Sequence, residues 1–427
     1  MGRAHLVLAV PLAPGHPPPA GQGRLGPSAR RSGVRGGRGG AVPRGRGGQL
    51  LRGRASGAPN RPAARGAPRL PGGRGRASGR AGPSRRAERR ARRRRPPLAH
   101  LSADVAVAVV IPNWNGRDWL PECLDSIAAQ TLAPADVVVV DNGSTDGSLD
   151  VLAAREPPVR TLALGRNTGF AHAANRGLEA SDAELVAMVN TDVVLEPDWL
   201  ERMVAALHAH PEAASVASKM VDLKDPGVLY DAGDFLRRDG ACEQRGRFER
   251  DYPELDEPGE AFSACAGAAL YRRDAVLAAG GFPERYFAYL EDVDLGLRLQ
   301  LRGWTCRYEP AVARHAGGGT SERLERPLLA WVERNTLLLV ARWFPLRWAP
   351  YVMYRQAGWA WHALRGRRLR SHLEGAAAAF RELPAVLRER RADPPDRARL
   401  AQVIPPRSIS RWRRRPSAPR RAAATSR

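Results

Sequence analysis

The stretch LVAMVNTDVVL, residues Leu185–Leu195, places a short polar centre between two apolar runs. The apolar residues before Asn190 are typical of a strand buried inside a sheet. Asn190 and Asp192 are two positions apart, so in an extended chain their side chains face the same side. Hard oxygen ligands of this kind suit a divalent cation bound to a diphosphate, and an ordinary polar turn at a strand end is the alternative.

Strands and helices are predicted to alternate around this stretch. The predicted strands are 105–111, 137–140, 159–164 and 184–189, and the predicted helices are 119–130, 170–180, 197–208 and one that ends at Ala154 and is capped by Ser144 or Asp146. This alternation predicts an α/β fold, with an open, mostly parallel sheet and helices on both of its faces. Ligands of such sheets bind beyond the carboxyl ends of the strands.

Polar residues follow four of the predicted strands: Asn113 with Asn115, Asp141, Asn167, and Asn190 with Asp192. Turn chemistry alone explains each of them, because Asn, Asp and Gly favour turns. Four such loops at one edge of a sheet instead indicate a binding site.

The pattern changes after residue 210. Residues Lys219–Glu260 are polar and predict a loop-rich insertion, and a glycine-rich flexible loop is predicted over Arg314–Thr320. Strands are predicted at 264–271 and 304–308, and helices at 274–279, 291–302 and 328–342.

Positive charge is concentrated at the two ends of the chain. Residues 1–100 hold 24 Arg, no Lys and one acid, Glu88, and residues 401–427 hold 8 Arg and no acid. Because the whole chain carries +24, residues 101–400 are net −7. The Gly/Pro/Arg-rich first hundred residues predict a disordered segment. It could bind an anionic membrane or nucleic acid, have no specific role, or come from a mis-called upstream start.

Neither the cysteines nor the hydropathy pattern indicates a secreted or membrane-spanning protein. The four cysteines, Cys123, Cys242, Cys265 and Cys306, have no metal-binding spacing, which favours reduced thiols in a cytosolic protein. The chain contains no apolar run of about 18 residues, the length that a bilayer-spanning helix needs.

Aromatic and basic residues alternate between Trp331 and Trp361. The segment holds five Trp, one Phe and two Tyr among four Arg. This mixture suits a membrane interface, and the alternative is a helical subdomain that packs the aromatic residues into its own core.

An enzyme that uses a nucleotide sugar must hold a pyrimidine ring and a diphosphate with its cation, and needs one base to activate a hydroxyl. Asp141 is placed to accept a pyrimidine N–H, Asp192 is the first candidate for a metal ligand, and His315 is a further candidate as a neutral imidazole. The carboxylates Glu291, Asp292 and Asp294 stand at one helix start, where crowding would raise the pKa of a base. A surface histidine and a solvated capping cluster are the alternatives.

These residues lie in stretches that resemble inverting glycosyltransferases of family 2, which have the GT-A fold, and in particular the rhamnosyltransferase-like branch. The resemblance covers residues 105–345 and rests on VVIPNWNGRDWLPECLDSI at 109–127, VVVVDNGSTDGS at 137–148, GRNTGFAHAANRGL at 165–178, VNTDVVLEPDWL at 189–200, GAALYRRDAV at 267–276, GGFPERYFAYLEDVDLGLRLQLRGW at 280–304 and ARHAGGG at 313–319.

The resemblance implies a role for each matching residue. Asp292, with neighbours Glu291 and Asp294, would be the catalytic base, and Asp192 with His315 would bind Mg²⁺ or Mn²⁺. Asn190-Thr191-Asp192 stands where the family has a DxD motif, so Asn190 departs from that pattern. The donor would be bound by Pro112, Asn115, Gly116, Asp141, Asn167, Gly169, Asn190 and Thr191.

The function implied is transfer of a sugar, with inversion, from dTDP-rhamnose or a UDP-sugar to a lipid-linked or polysaccharide acceptor in cell-surface glycan synthesis. The expected location is the cytoplasmic face of a bacterial plasma membrane, with peripheral membrane contact and no specific nucleic acid partner. Two alternatives remain: a nucleic-acid-binding protein that acts through its Arg-rich ends, and a catalytically inactive partner subunit.

Four regions are expected along the chain. They are a disordered segment at 1–102, a GT-A domain at 103–322, a helical, membrane-proximal region at 323–395 and a disordered basic tail at 396–427.

Overall fold

The structure, a computed structural model, describes residues 105–317, 328–404 and 406. The Arg-rich segment 1–102, most of the glycine-rich loop and most of the basic tail lie outside the described residues, so the predictions made for them stay predictions.

Helices and strands alternate over the first half of the described chain. The strands are β1 (Val107–Asn113), β2 (Asp136–Asp141), β3 (Arg160–Ala163), β4 (Leu185–Val189), β5 (Val193–Leu195), β6 (Ala213–Asp222), β7 (Leu229–Asp231), β8 (Asp234–Leu236), β9 (Cys242–Gln244), β10 (Gly259–Ala261), β11 (Ala268–Arg272) and β12 (Thr305–His315). The α-helices are α1 (Leu120–Ala128), α2 (Ser148–Ala153), α3 (Phe170–Ala180), α4 (Trp199–Ala209), α5 (Arg273–Ala278), α6 (Glu291–Leu301), α7 (Leu328–Trp343), α8 (Ala349–Arg365), α9 (Leu369–Ala392) and α10 (Arg397–Val403).

The central sheet has the order β10-β12-β6-β11-β4-β1-β2-β3, and β5 and β7 pair with β12 and β6. Strands β3, β2, β1 and β4 are parallel, as the strand–helix alternation predicts. The second half of the sheet is mixed, because β11 runs antiparallel to both β4 and β6. Strands that alternate with crossover helices run parallel. The regular alternation stops after α4, so the strands that follow are free to pair in either direction.

Alternate residues of β1 bury opposite faces of the sheet. Val110 packs with α3 residues such as Ala174 and Leu178. Val109 and Ile111 pack with the core of α1 and α4. Helix α3 lies close to the sheet because it carries Gly177, where a Cβ would stand 2.1 Å from Val110 Cγ1. Helices cover both faces, so the predicted α/β class and the open sheet are confirmed.

Two segments that were predicted as loops are strands. Strand β12 continues through Arg314 to His315, because these residues pair with Val221 and Asp222 of β6 and with β5. The start of the predicted insertion is also wrong, since Lys219 lies within β6. Its ammonium group is buried but forms ion pairs with Asp251 and Asp256 at 2.7 and 2.6 Å, which offset its desolvation.

The C-terminal helices form a third core with α6. Leu338, Leu339, Trp343 and Trp348 pack there with Val293 and Leu297 of α6. Helix α10, which falls in the predicted tail, joins this core through Leu400, and Arg238 donates hydrogen bonds to the carbonyls of Ala401 and Ile404. In the part of the chain that the structure describes, no helix combines the length and the apolar character needed to cross a bilayer.

Candidate functional site

The carboxyl ends of β1 and β2 meet through a buried polar network. Asn113 and Asp141 are register partners, and Asn113 Nδ2 donates to Asp141 Oδ1 at 2.9 Å. The Ser144 amide donates to Asp141 Oδ2 at 3.1 Å, and the Asn115 amide donates to Ser144 Oγ at 2.9 Å. Each carboxylate oxygen has a second lone pair, so Asp141 can still accept a ligand N–H. Asn113 Oδ1 is buried without a hydrogen-bond partner among the described residues.

Gly116 joins this network to the loop after β4. A Cβ on Gly116 would lie 2.4 Å from Asn113 Oδ1 and 3.1 Å from Thr191 Oγ1, so only glycine fits between the two loops. Pro112 is the residue before Asn113 in β1 and pairs with Val140. The structure thus brings Pro112, Gly116 and Thr191 to one edge of the sheet with Asp141.

The loop after β3 is held by Asn142, a residue that the sequence interpretation did not select. Asn142 Oδ1 accepts from the Thr168 amide at 2.8 Å, and its Nδ2 donates to Asn167 Oδ1 at 3.2 Å and to the Gly169 carbonyl at 3.0 Å. Asn167 and Gly169 therefore lie beside the end of β2. The sequence signal for Asn142 is weak, because an asparagine between Asp141 and Gly143 is also typical of an ordinary turn.

Asp192 and His315 lie together at the end of the sheet, although 123 positions separate them in the sequence. His315 Nε2 is 3.3 Å from Asp192 Oδ1, and both side chains are buried. Backbone pairing between β5 and β12 sets this contact, because His315 is the partner of Val193. The Tyr230 ring packs on the imidazole, with centroids 4.1 Å apart.

A carboxylate and an imidazole at this distance can be neighbours in one coordination sphere. The Gly317 amide donates to His315 Nδ1 at 2.9 Å, so the ring proton is on Nε2 in this arrangement. Coordination through Nε2 requires the other tautomer. No group of three or more His, Cys, Asp or Glu is placed to hold an ion within residues 105–317 and 328–404. Two protein ligands suffice where substrate phosphates and water supply the rest, so Asp192 and the Nδ1-protonated tautomer of His315 fit Mg²⁺ or Mn²⁺.

Asp292 and Asn190 both form hydrogen bonds with the turn at residues 266–267. The Ala266 amide donates to Asp292 Oδ2 at 3.1 Å, and the Asn190 amide donates to the Gly267 carbonyl at 2.8 Å. This turn places the candidate base next to the candidate metal motif. Asp292 is half-buried in the first turn of α6, and burial raises its pKa while the amides of Ala266 and Val293 lower it.

Asp292 lies beside a group of buried carboxylates that includes two residues the sequence interpretation missed. Burial raises the pKa of Asp231 to about 7, and the charge of Asp292 adds to this while Arg245 opposes it. Burial, Asp231 and Asp292 raise the pKa of Asp234. Burial and Asp292 raise the pKa of Glu291. The pair Asp231 and Asp234 lies about 60 positions before Glu291 and Asp292 in the sequence, so only the fold reveals the group.

Asp294 faces away from this group and into the C-terminal core. Its carboxylate accepts hydrogen bonds from Tyr286 Oη at 2.9 Å and Trp343 Nε1 at 2.8 Å, and it pairs with Arg298 Nε at 2.7 Å. These buried contacts assign Asp294 to the attachment of α7 to α6.

Replacing Asp294 with alanine is expected to destabilise the fold by about 3–5 kcal/mol, because Arg298 and the two donors would lose their buried partner. Chemical denaturation monitored by tryptophan fluorescence measures this loss of unfolding free energy. Asp274→Ala, at an almost fully exposed position on α5, is the control and should leave stability nearly unchanged. An Asp294→Ala protein as stable as the control would contradict this assignment.

Comparisons with known proteins identify the family that the chain resembles. The model of the family "Glycosyl transferase family 2" matches residues 108–278. The chain is similar to the N-acetylglucosaminyl-diphospho-decaprenol L-rhamnosyltransferase of Mycobacterium tuberculosis, with 32% identity over 274 residues, which cover 56% of this chain and 87% of the relative. It is also similar to the amylovoran biosynthesis glycosyltransferase AmsE of Erwinia amylovora, with 24% identity, covering 50% of this chain and 76% of the relative.

One solved structure that resembles the chain is the mannosyltransferase PcManGT from Pyrobaculum calidifontis in complex with GDP-Man and Mn²⁺. The identity is 20% and the TM-score is 0.41, and the match covers 72% of this chain and 86% of that one.

Proposed function

Because the chain belongs to glycosyl transferase family 2, we propose that it transfers a sugar from a nucleotide diphosphate donor to a hydroxyl of a lipid-linked or polysaccharide acceptor. The observation that carries this proposal is the gathering of Asp141, the Asp192–His315 pair and Asp292 around one end of the sheet. The donor is dTDP-rhamnose or a UDP-sugar, and the product is a cell-surface glycan.

The donor lies across the ends of β1, β2 and β4. Asp141 accepts the N–H of the pyrimidine ring, and Asn115, Gly116, Asn167 and Gly169 line the nucleotide pocket. Asn190 and Thr191 face the diphosphate, beside Asp192. Asp192 and His315 would hold Mg²⁺ or Mn²⁺, which supplies positive charge to the leaving diphosphate.

Asp292 acts as the base. Its carboxylate accepts the proton of the acceptor hydroxyl while the hydroxyl oxygen bonds to the anomeric carbon and the bond from that carbon to the diphosphate oxygen breaks. A single displacement from the opposite face inverts the configuration at the anomeric carbon. The raised pKa of Asp292 makes its carboxylate a better proton acceptor than an ordinary aspartate.

A metal-dependent transfer assay tests the proposed function. The full chain is incubated with each donor, Mn²⁺ and a bacterial lipid extract. Chromatography then quantifies the nucleoside diphosphate that is released. Release that requires both metal and extract supports the proposal. A folded protein that transfers from no donor would favour the inactive partner subunit instead.

The acceptor is proposed to be lipid-linked, and the protein to bind the cytoplasmic face of a bacterial plasma membrane. The relative from Mycobacterium tuberculosis carries a decaprenol-linked acceptor in its name. In this chain, α8 provides a surface suited to a bilayer. Tyr354, Trp361 and Arg365 are exposed and lie opposite the buried Val352, Trp359 and Ala363.

This surface also has the charge that anionic lipid attracts. Residues 346–373 contain six Arg and no Asp or Glu. Of these, Arg347, Arg365, Arg367, Arg368 and Arg370 are exposed. Aromatic side chains with basic neighbours are typical of helices that lie in the membrane interface. Trp343, Trp348 and Trp359 are buried in the protein, which agrees with the alternative of a packed helical core for these residues. Membrane contact is proposed only for the exposed aromatic residues.

Replacing Arg365, Arg367 and Arg368 together with glutamine is expected to weaken binding to phosphatidylglycerol vesicles about 100-fold, at roughly 1 kcal/mol for each arginine near an anionic surface. Vesicle co-sedimentation at low salt measures the change. Binding to phosphatidylcholine vesicles should be weak for both proteins. Arg250→Gln, at an exposed arginine outside the surface, is the control. Equal binding by the triple variant and the control would contradict a membrane role for α8.

A further inference from the structure

The connection formed by residues 286–290 leads into the candidate base, Asp292, and has an unfavourable backbone conformation. Phe287, Tyr289 and Leu290 have φ of 64°, 72° and 71°, in the left-handed region that L side chains rarely adopt. The Ala288 amide donates to the Tyr286 carbonyl at 2.7 Å, which closes a γ-turn around Phe287, with ψ of −63°. A γ-turn of this hand is rare and strained, so bonds from elsewhere must hold it.

Asn335 of α7 supplies those bonds. Its Nδ2 points at the carbonyls of Tyr286, Ala288 and Tyr289, at 3.1, 2.8 and 2.7 Å. The Asn335 side chain is fully buried, so solvent does not compete with it for these carbonyls in the folded protein. Beside it, the Trp331 ring stacks on Phe287 at a centroid distance of 4.9 Å.

The same connection also contacts the loop at Gly169, which is proposed to line the nucleotide pocket. The Phe287 carbonyl accepts from the Ala171 amide at 3.2 Å, and a Cβ on Gly169 would lie 2.6 Å from the Phe287 oxygen. Helix α6 begins immediately after Leu290, with Asp292 in its first turn. The strained connection thus links the Gly169 loop, the candidate base and α7.

We propose that Asn335 is a positioning residue, which holds residues 286–290 in their strained conformation and thereby sets the direction of Asp292 toward the acceptor hydroxyl. This inference rests on the proposed role of Asp292. It gives α7 a role in positioning the base, in addition to its packing against α6.

Attachment of α7 does not depend on Asn335 alone. Trp343 bonds to Asp294, and the Arg334 guanidinium donates to the Arg285 carbonyl at 2.7 Å. We therefore expect Asn335→Ala to fold with α7 in place while residues 286–290 relax.

The test is steady-state kinetics of the full-length Asn335→Ala protein. A displacement of about 1 Å at a reacting group can cost about 100-fold in rate, so we expect kcat to fall about 10- to 100-fold while KM for the donor changes less than about 2-fold. If relaxation moves Asp292 away from the amides that lower its pKa, the acid limb of the pH profile moves to higher pH.

A rescue variant separates positioning from general damage. Glycine tolerates positive φ, so Leu290→Gly in the Asn335→Ala protein should recover several-fold of the lost kcat. Ala288→Gly is the matched control and should recover none, because Ala288 does not have a positive φ. Asn175→Ala removes an asparagine that bonds to Phe282 of the preceding segment, and it should leave kcat within about 3-fold.

Three results would overturn the inference: wild-type kcat in Asn335→Ala, equal effects of Leu290→Gly and Ala288→Gly, or loss of cooperative thermal unfolding, which would make Asn335 a residue of the core. Asp292→Asn is measured alongside. If Asp292→Asn keeps full activity, the proposed base fails. If Asp292→Asn is inactive while Asn335→Ala is normal, the positioning role fails and the base stands.

Discussion

Asp292→Asn is expected to reduce sugar transfer about 10²- to 10⁴-fold, the usual contribution of a general base. The amide has nearly the shape of the carboxylate but cannot take the proton of the acceptor hydroxyl. Donor binding should persist, because Asp192, His315 and Asp141 are untouched. Initial rates measure the first effect, and calorimetric titration of the donor measures the second.

The pH dependence of sugar transfer by the wild-type protein should report the titration of the Asp292 carboxyl. Burial raises the pKa of Asp292, so the carboxylate is protonated, and inactive as a base, at a higher pH than an ordinary aspartate. Transfer should therefore decline as pH falls through this raised pKa. Nearby carboxylates titrate together with Asp292, so the apparent pKa on the acid side of the pH–rate profile is a property of the whole group of carboxylates.

Glu291→Gln is the control for charge in the same turn of α6. Glu291 is more deeply buried than Asp292, which leaves Asp292 better placed to reach an acceptor. We expect Glu291→Gln to retain more activity than Asp292→Asn. The reverse order would transfer the base role to Glu291.

Asp192→Ala is expected to remove metal-dependent donor binding. Asp192 supplies the carboxylate of the Asp192–His315 pair, and loss of even an indirect partner of a metal ligand typically weakens metal affinity about 10- to 100-fold. Donor affinity with Mn²⁺ should fall to the affinity measured without metal. Mn²⁺ binding without donor, followed by electron paramagnetic resonance, gives a second readout.

The matched control for Asp192→Ala is Asp274→Ala, which removes an exposed carboxylate on α5. It should leave the metal dependence unchanged. If Asp192→Ala binds donor with the same metal dependence as this control, the cation is held elsewhere.

The first half of the fold could be predicted because its signals are local. The β-branched runs at Val107–Ile111 and Val137–Val140 mark strands buried on both faces, and polar residues follow where each strand ends. The full length of β12 could not be predicted, because Arg314 and His315 look like loop residues until β5 and β6 pair with them. The burial of Lys219 likewise depends on Asp251 and Asp256, which are distant in sequence.

The candidate site was predictable where it repeats a family motif. Asp141, Asp192, Asp292 and His315 came from such motifs, and the structure brings Asp192 together with His315. The role of Asp294 could not be predicted in this way, because its three partners come from α6, α7 and the connection before α6. The role of Asn335 could not be predicted from the sequence. An asparagine in an apolar helix does not indicate which distant backbone carbonyls its side chain will contact.

The nucleotide-sugar site is best tested by calorimetric titration of dTDP-rhamnose, UDP-galactose, UDP-glucose and GDP-mannose into the full chain, with and without Mn²⁺. We expect that one pyrimidine nucleotide sugar binds, that binding requires Mn²⁺, and that Asp192→Ala abolishes it. Metal-independent binding, or no binding of any donor by a folded protein, would contradict the assignment of Asp141, Asp192 and His315 as a nucleotide-sugar site.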